Sequence, residues 1–254
     1  MTPPPGKRDR SRQTGLARVL SKLGYCSRSQ ASEFIRAGRV KLNGVVRRDP
    51  ETPTRLTEDK ITVDDQPVKA SKKQYFILHK PRGVVTTAAD EKGRATVYEC
   101  LPKTLSWIAP VGRLDKASEG LLLLTNDSEW AARISAPETH LDKTYHVQIR
   151  AVADEALLQA LRDGVAAKDG DFLAVKRADV LRQGERNSWL EIVLDEGKNR
   201  QIRRMLEHLN IEVLRLVRVA IGPLVLGQLA KGQSRELSPG EQASLTRAMP
   251  GPGN

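Results

Sequence analysis

The sequence predicts an α+β protein in two parts: a small N-terminal module, then a larger domain built on a largely antiparallel mixed sheet. Apolar positions recur at helical spacing in some segments and alternate in others, without the regular strand-helix-strand rhythm of a parallel sheet. Positive charge is concentrated at the start, because residues 1–50 carry twelve Lys and Arg against three Asp and Glu. This excess of nine supplies most of the net charge of +11. The first part is therefore expected to be a separate, basic unit.

The composition excludes several classes of protein. A local basic region favours a docking surface for phosphates, and a basic disordered tail over about the first thirteen residues is the alternative. The two cysteines, Cys26 and Cys100, have neither the spacing of zinc ligands nor that of a disulfide framework. The start has no apolar run for a secretory signal, and no stretch approaches the roughly 18 apolar residues of a membrane span. We expect a cytoplasmic protein that does not enter a membrane.

Two helices open the N-terminal module. From Leu16 the apolar positions follow one helical face, and Gly24 ends the segment. Ser27 followed by Gln30 predicts a capping box at the start of a second helix, which ends at Gly38.

A small basic sheet follows these helices. The stretch RVKLNGVVRR alternates apolar and basic residues around Asn43-Gly44, which predicts a hairpin. A further strand is predicted at 61–63, with a turn at Asp64-Asp65 and a polar linker over 68–74. The module therefore ends near Lys73.

The larger domain opens with YFILHKPRGVVTT, where Tyr75 to Leu78 predict a buried strand and Pro81 with Gly83 a turn. Short apolar strands and helices then alternate irregularly. The strands are TYHVQI, WLEIVL and EVLRLVRVAI, and the helices are EALLQALRDGV and RQIRRMLEHL. The last stretch, RAMPGPGN, is predicted to be a mobile tail.

The stretch GRLDKASEGLLLLTND, from Gly112 to Asp127, is the first that could carry chemistry. Leu121 to Leu124 predict a buried strand, and Asn126 or Asp127 is expected to cap a helix running SEWAARI. Arg113 and Asp115 lie where a loop meets the sheet, and an extended backbone would point both to one side. An arginine beside a carboxylate keeps it ionised, although a surface ion pair of little value is the alternative.

Two further stretches carry polar residues beside an apolar face. Strand alternation in KTYHVQIR places Tyr145 with Val147 and Ile149 on one face, which is typical of a core tyrosine. In LDEGKNRQIRRMLEHL, an apolar helical stripe is predicted at Ile202, Met205, Leu206 and Leu209. Arg203 lies next to this stripe, where it could reach a buried acid or extend to water.

Together these motifs carry a family resemblance. The segment LARVLSKLGYCSRSQASEFIRAGRVKLNG resembles the RNA-binding domain first described in ribosomal protein S4, the alpha-L motif, over about residues 14–72. HKPRGVVTT, GRLDKASEGLLLLTND, KTYHV and EGKNRQIRRM resemble the RsuA/RluB family of ribosomal RNA pseudouridine synthases over about residues 14–240. One departure is His79, where many relatives carry Asn. The resemblance implies an alpha-L module at 14–72 and a pseudouridine synthase catalytic domain at 74–241.

The resemblance also implies roles for individual residues. The family detaches the uracil of a uridine in RNA, turns it and rejoins it through carbon. Asp115 is the implied catalytic carboxylate, Arg203 pairs with it, and Tyr145 packs against the base and moves a proton. Arg113 is implied to fill the gap that the flipped uridine leaves. The implied contacts to the RNA backbone are Lys198, Arg200 and Arg204 near the site, and Arg28, Arg36, Arg39 and Lys41 in the N-terminal module.

An isomerisation consumes no donor, so we expect neither a cofactor nor a metal. The implied partner is ribosomal RNA, of the large subunit or in an assembling ribosomal particle, and the expected state is a monomer. Two alternatives stay open. A metal-dependent nuclease would use carboxylates such as Asp115, Asp127 and Asp195. A non-enzymatic ribosome assembly factor would need only residues 1–72.

Overall fold

The computed structural model describes residues 13–87, 93–103, 105, 107–167 and 170–249. They form two compact units. The first runs to Gln74 and also takes in Asn126–Glu129 and the described residues of 105–109; the second takes the rest of the described chain from Tyr75. The predicted boundary at 72–74 falls beside this division. The suggested disordered tail lies almost wholly in residues 1–12, outside the described part.

Short elements build the N-terminal unit. They are β1 (Thr14–Gly15), α1 (Leu16–Lys22), α2 (Arg28–Arg36), β2 (Val40–Leu42), β3 (Val45–Arg47), β4 (Pro53–Thr54), β5 (Ile61–Val63) and β6 (Gln66–Pro67). The predicted capping box at the start of α2 is confirmed: Ser27 Oγ accepts from the Gln30 N–H at 3.1 Å, and Gln30 Oε1 accepts from the Ser27 N–H at 3.1 Å. Strands β3, β2, β5 and β6 form one sheet in that order, and β1 pairs with β4.

The predicted turns of this unit are confirmed by their backbone angles. Asn43 and Gly44 have φ values of 51° and 82°, and Asp64 and Asp65 have 49° and 63°. These left-handed conformations suit Gly, Asn and Asp, whose side chains are absent or short and polar. The α1 and α2 helices pack over β2 and β5 through a core of buried side chains that includes Leu20 and Ile35.

The larger unit holds the other elements of the described chain. They are β7 (Tyr75–Lys80), β8 (Ala109–Val111), β9 (Glu119–Thr125), α3 (Ser128–Ser135), β10 (Lys143–Ile149), α4 (Glu155–Asp163), β11 (Val165–Ala166), β12 (Phe172–Leu173), β13 (Arg177–Gln183), β14 (Ser188–Leu194), α5 (Gln201–His208), β15 (Val213–Ile221), β16 (Leu224–Val225), β17 (Ser234–Glu236) and α6 (Pro239–Ala248), with 3₁₀ turns at Val97–Cys100 and Pro137–Thr139.

One mixed sheet organises this unit, with strand order β13, β14, β10, β15, β9, β7, β17. Strand β16 pairs with β15, and β8 pairs with β9. Among the described pairs with a stated register, only β15 and β9 run parallel. The fold is α+β with a largely antiparallel sheet, as the sequence predicts.

The parallel strands β9 and β15 approach each other closely at Gly120. Gly120 of β9 lies opposite Arg218 of β15 and has a φ of 110°. A Cβ atom at position 120 would lie 2.2 Å from the Arg218 carbonyl oxygen. Only glycine fits both the backbone angle and this approach.

Two cores stabilise the larger unit, one on each part of the sheet. The first packs α4 and α5 against β10, β13, β14 and β15, and includes Val147, Leu161 and Met205. The second packs α3 and α6 against β7 and β9. The predicted tail was wrong at its start, because α6 continues to Ala248 and Met249 is only 3% exposed in the second core. The rest of that tail, residues 250–254, lies outside the described chain.

No helix among the described residues is long and apolar enough to cross a membrane.

Candidate active site

A cavity of about 580 Å³ lies in the larger unit, beside the sheet and the start of α5. Its wall includes Asp115, Tyr145 and Arg203, which come from three separate stretches of the sequence. Asp115 lies in the loop before β9, Tyr145 on β10 and Arg203 in the first turn of α5. The structure thus brings together the three residues that the sequence motifs indicate as catalytic, while their roles remain predictions.

The loop that carries Asp115 is anchored by the segment that follows β7. Lys80 Nζ donates to the carbonyls of Asp115 at 3.0 Å and Ser118 at 2.8 Å. The Gly83 N–H donates to the Lys116 carbonyl at 2.8 Å. Thr86 Oγ1 donates to the Leu114 carbonyl at 2.8 Å. The motif HKPRGVVTT, which sequence reasoning noticed but left without a role, therefore fixes the backbone on which Asp115 is mounted.

Lys80 is the central anchor of this loop. Its side chain is fully buried and also donates to the Pro81 carbonyl at 3.2 Å. Burial lowers the pKa of Lys80 to about 8, and the charges of Asp115, Cys100 and Glu119 oppose that shift. Three carbonyl acceptors match the three donors of an ammonium group, so the hydrogen bonds that position Asp115 are completed only by the protonated lysine.

The arginine nearest the Asp115 carboxylate is not the one that the sequence suggested. Arg200 Nη1 lies 3.5 Å from Asp115 Oδ2, and the Asp115 side chain is 35% exposed. Arg203 instead donates from Nη2 to the Ala117 carbonyl at 3.1 Å, within the same loop. Arg200 reaches the carboxylate because its own backbone is left-handed, with a φ of 50°, just before α5 begins. The predicted pairing of Arg203 with Asp115 is not among the ion pairs of the described residues, where Arg200 takes that place.

Arg203 nevertheless lies within the electrostatic field of the carboxylate. Burial and the positive charge of Arg200 lower its pKa, Asp115 raises it, and Arg82 lowers it further. Its Nε is buried and has no hydrogen-bond partner among the described residues. The guanidinium therefore holds a free donor in the cavity wall.

Tyr145 lies on the β10 face that the sequence predicted. Val147 and Ile149 on the same face are fully buried, and Tyr145 is half-buried against the same core. Across the ladder, Tyr145 is paired with Arg218 of β15. A shift in register between Thr144 and Tyr145 marks the end of the core-facing part of β10. The tyrosine therefore stands at the border between core and cavity.

The predicted RNA-backbone contacts of the larger unit divide into two groups. Arg113, Lys198 and Arg200 are exposed and line the cavity. Arg204 lies outside this lining; its Nη2 is 2.9 Å from Asp171 Oδ2. The apolar stripe beside these residues is confirmed, with Ile202, Met205 and Leu206 buried and Leu209 partly buried.

In the N-terminal unit, the predicted phosphate contacts also differ among themselves. Arg28 and Arg36 are exposed on α2 and have no ion pair with the described residues. Arg39 and Lys41, by contrast, pair with Asp64 and Asp65 of the neighbouring turn.

The cavity wall also includes residues that the sequence did not single out as part of a site, among them Lys143, Leu216 and Arg218. Arg218 is only 6% exposed, and its Nε donates to the Leu121 carbonyl at 2.8 Å. A basic residue inside the apolar strand VLRLVRVAI was the available signal, since a charge at a core position is unusual. The three carboxylates considered for a nuclease, Asp115, Asp127 and Asp195, are not grouped as a metal site within the described chain.

Comparison with known proteins adds independent information. The model of the family described as RNA pseudouridylate synthase matches residues 74–208, and that of the S4 domain matches residues 14–61. An uncharacterised RNA pseudouridine synthase of Aquifex aeolicus is 38% identical over 233 residues, covering 91% of this chain and 93% of the relative. Ribosomal large subunit pseudouridine synthase B of Bacillus subtilis is 37% identical over 232 residues, covering 91% and 94%.

A solved structure described as a pseudouridylate synthase is similar over nearly its whole length. It superimposes with a TM-score of 0.64 at 30% identity, covering 91% of this chain and 99% of that one.

Proposed function

The chain belongs to the RNA pseudouridylate synthase family and isomerises uridine to pseudouridine in ribosomal RNA; from this premise we propose that Asp115 is its catalytic carboxylate and that its target lies in large-subunit RNA. The observation that carries the assignment of Asp115 is its position in the cavity wall with Tyr145 and Arg203. These side chains come from separate stretches of the chain, so their convergence is a property of the fold.

The proposed role of Asp115 follows from the charge that the reaction develops. When the bond between C1′ of the ribose and N1 of uracil breaks, C1′ becomes electron-deficient. A carboxylate can attack this carbon or stabilise its charge. A carboxylate on a basic RNA-binding surface lowers affinity, and here it is offset by Arg200 at 3.5 Å. Asp115 is fixed through its own carbonyl by Lys80, which keeps the carboxylate in place while the base moves.

Tyr145 is proposed to act on the uracil, and Arg203 on the Asp115 carboxylate. The Tyr145 ring is half-buried against the first core of the larger unit, so it offers a rigid surface on which a flipped uracil packs. Its hydroxyl is proposed to move a proton during the rearrangement. Arg203 is proposed to turn from the Ala117 carbonyl to the Asp115 carboxylate when RNA binds, which would pair its buried Nε as well.

The exposed cations are proposed to hold the RNA. Arg113 is placed at the cavity wall, where its planar guanidinium can stack in the space left by the flipped uridine. The proposed backbone contacts are Lys198, Arg200 and Arg204 near the cavity, and Arg28, Arg36, Arg39 and Lys41 in the N-terminal unit. The S4 domain match over residues 14–61 supports an RNA-binding role for that unit.

The large-subunit target rests on the names of relatives. The Bacillus subtilis protein is named as a large-subunit synthase, and its alignment covers 91% of this chain. We propose the same RNA, free or in an assembling particle, as the partner here. A monomeric enzyme in the cytoplasm, where ribosomes are assembled, fits this substrate.

The proposed function is tested by mapping pseudouridines in total ribosomal RNA from cells with and without the gene. We expect one site, in large-subunit RNA, to disappear and to return with the wild-type gene. A lost site in small-subunit or transfer RNA would contradict the proposed target. Unchanged maps would contradict the activity itself.

The role of Asp115 is tested in the same cells with Asp115→Asn, which keeps side-chain volume and removes charge. We expect the site to stay unmodified, because rate losses of about 10³-fold or more follow removal of a catalytic group. The purified variant should bind RNA as tightly as the wild type. Restored modification would show that Asp115 is not the catalytic carboxylate, and a non-enzymatic assembly factor would also give that result.

A further inference from the structure

Arg218 is a buried arginine whose guanidinium lacks a full set of hydrogen-bond partners among the described residues. It lies on β15 in the cavity wall and is 94% buried. Its Nε donates to the Leu121 carbonyl at 2.8 Å, but its Nη2 is buried and has no partner among the described residues. An arginine stays charged at all relevant pH values, so this burial costs free energy.

A second cation in the same wall raises that cost. Lys143 is half-buried, lines the cavity and donates to the Asp195 carbonyl at 3.3 Å. Burial lowers its pKa, and the charge of Arg218 lowers it further. The charges of Asp195 and Asp142 oppose this shift, but they face Lys143, and no carboxylate among the described residues pairs with Arg218. The fold alone therefore gives no reason for the free donor of Arg218 beside a second cation.

The ladder register places Arg218 next to the site where the base would lie. Arg218 is the direct partner of Tyr145 across the antiparallel pair of β10 and β15. Directly opposed residues have their Cβ atoms about 5 Å apart on the same face. If Tyr145 packs against the target uracil, the neighbouring guanidinium lies at the edge of that ring.

Burial distinguishes the base from the phosphates as the partner of Arg218. The exposed cations of the wall, Arg113, Lys198 and Arg200, suit the phosphates, which stay near solvent. A flipped nucleotide inserts its base most deeply. This depth favours the base, rather than a phosphate, as the partner of the Arg218 guanidinium.

From these observations, and resting on the proposed function, we propose that Arg218 is a catalytic residue that stabilises the negative charge of the departing uracil. The C1′–N1 bond breaks and its electron pair stays with the base, where it spreads over N1, O2 and O4. Arg218 Nη2 donates to a carbonyl oxygen of this anion, while Asp115 stabilises the electron-deficient C1′. The C5 atom then bonds to C1′, and the proton lost from C5 is balanced by the proton gained at N1.

The first test compares Arg218→Met with the wild type in single-turnover conversion of large-subunit RNA transcribed in vitro. We expect the rate to fall about 100- to 1,000-fold, as for the loss of one donor to a developing oxyanion, with the Kd for RNA within threefold. A weaker Kd with a shallower salt dependence and a nearly normal rate would make Arg218 a phosphate contact and overturn the proposal.

Thermal unfolding of the same variant gives an independent result. Methionine removes a buried charge and keeps most of the side-chain volume, so we expect a Tm equal to or above that of the wild type. A clear fall in Tm would assign Arg218 a structural role and contradict the proposal. Arg218→Lys, which keeps the charge, should recover at least part of the lost rate.

Arg215→Met is the matched control on the same strand. Its guanidinium donates at 2.8 Å to Glu119, which is 3% exposed, and Arg215 is outside the cavity lining. We expect a lower Tm with a rate within about threefold of the wild type. Equal rate losses at positions 215 and 218 would show a general distortion of β15 and overturn the proposal.

The last test changes the leaving group. Fluorine at C5 withdraws electrons and stabilises the uracil anion, so RNA with 5-fluorouridine at the target needs less help from Arg218. The ratio of the wild-type rate to the Arg218→Met rate, measured as formation of the C-linked fluorinated product, should be at least tenfold smaller than the same ratio with uridine at the target. An unchanged ratio contradicts the proposal. A wild-type enzyme that modifies no ribosomal RNA would instead contradict the proposed function.

Discussion

In the N-terminal unit, Arg39 and Lys41 lie at the surface and pair with Asp64 and Asp65, all four side chains being more than a third exposed. In the cavity, Arg203 and Arg218 are mostly buried, and each keeps one buried nitrogen without a partner among the described residues. These four exposed side chains are paired, whereas the guanidinium groups of Arg203 and Arg218 are not fully paired. This is the reverse of what stability alone favours.

The comparison separates two uses of positive charge. An exposed ion pair is worth little, so its cation can exchange a carboxylate for a phosphate at small cost. A buried donor without a partner costs free energy in every molecule that has no substrate bound. We infer that the N-terminal unit is adapted for reversible binding of RNA, and the cavity for charges that exist only during the reaction.

Arg203→Lys should give the largest effect among the variants that sharpen this comparison. A lysine keeps the charge but cannot supply a planar fork, so we expect the single-turnover rate to fall about 100-fold or more. The Tm should change little, because the lost contact is one hydrogen bond to Ala117. Arg177→Lys, at surface ion pairs with Asp179 and Glu191, is the control and should leave the rate unchanged and the Tm nearly so. A rate within threefold of the wild type would place Arg203 outside the reaction.

Lys80 is a buried cation whose three donors all have acceptors, unlike Arg203 and Arg218. Its substitution tests whether such a cation acts by positioning the Asp115 loop. Lys80→Met removes the donors to the Asp115 loop, and we expect a rate loss of about 10- to 100-fold with normal RNA binding. Normal activity would show that Gly83 and Thr86 suffice to hold the loop.

The pH dependence of stability tests the same lysine. Its pKa is about 8 in the folded protein and 10.5 as the ordinary value, so between these pH values the unfolded chain binds more protons. Lys80 therefore makes wild-type stability rise with pH in this window, relative to Lys80→Met. Between pH 7 and pH 9.5, the free energy of unfolding of the wild type should rise by about 2 kcal/mol relative to that of Lys80→Met, as measured by urea unfolding. A difference that stays constant, or changes sign, would contradict the lowered pKa.

A smaller effect should come from the exposed cations of the N-terminal unit. Arg28→Gln with Arg36→Gln removes two cations without an ion pair, and we expect an RNA Kd about tenfold weaker and a salt slope reduced by nearly two. Arg39→Gln with Asp64→Asn removes a cation together with its carboxylate, so the net charge is unchanged and we expect a smaller loss, about threefold, from the proposed phosphate contact of Arg39. Filter binding over a range of salt concentrations measures both. An unchanged Kd for the second pair would show that Arg39 stays with Asp64 and makes no contact with RNA.

The smallest effect concerns an ion pair that serves stability alone. Glu241 accepts from Arg235 Nη2 at 2.7 Å and Nη1 at 2.8 Å, and these bonds lower its pKa to about 2. The stabilisation is present above pH 4.5 and is lost as pH falls through about 2. Glu241→Gln should lower the free energy of unfolding at pH 7 by about 1 kcal/mol, since partial exposure weakens the pair. Urea unfolding at pH 7 and pH 2.5 should show the difference shrinking.

The sequence predicted correctly those elements that depend on residues close to one another in the chain. The Ser27 capping box, the Asn43-Gly44 turn and the apolar stripe beginning at Ile202 each depend on residues within a few positions, and all are confirmed. The α6 helix was not predicted, because its weak amphipathic pattern gives little sign that Leu245 and Met249 are buried.

The site was only partly accessible from the sequence. Asp115, Tyr145 and Arg203 were found through their motifs, but the contacts between them depend on long-range pairing. Nothing local indicates that Lys80 reaches Asp115, 35 residues away, or that Arg218 lies beside Tyr145. Likewise the left-handed backbone of Arg200, which brings it to Asp115, has no signature in an arginine.

Gly120 sets how closely two strands beside the cavity approach each other. Strand β9 follows the loop that carries Asp115, and β15 carries Leu216 and Arg218, so these parts of the cavity wall are mounted on adjacent strands. A hydrogen atom is the only substituent at position 120 that lets these strands meet. A methyl group there would force β9 and β15 apart and, with them, the residues of the wall that they support. The spacing of the cavity wall therefore depends on a residue that is not part of its lining.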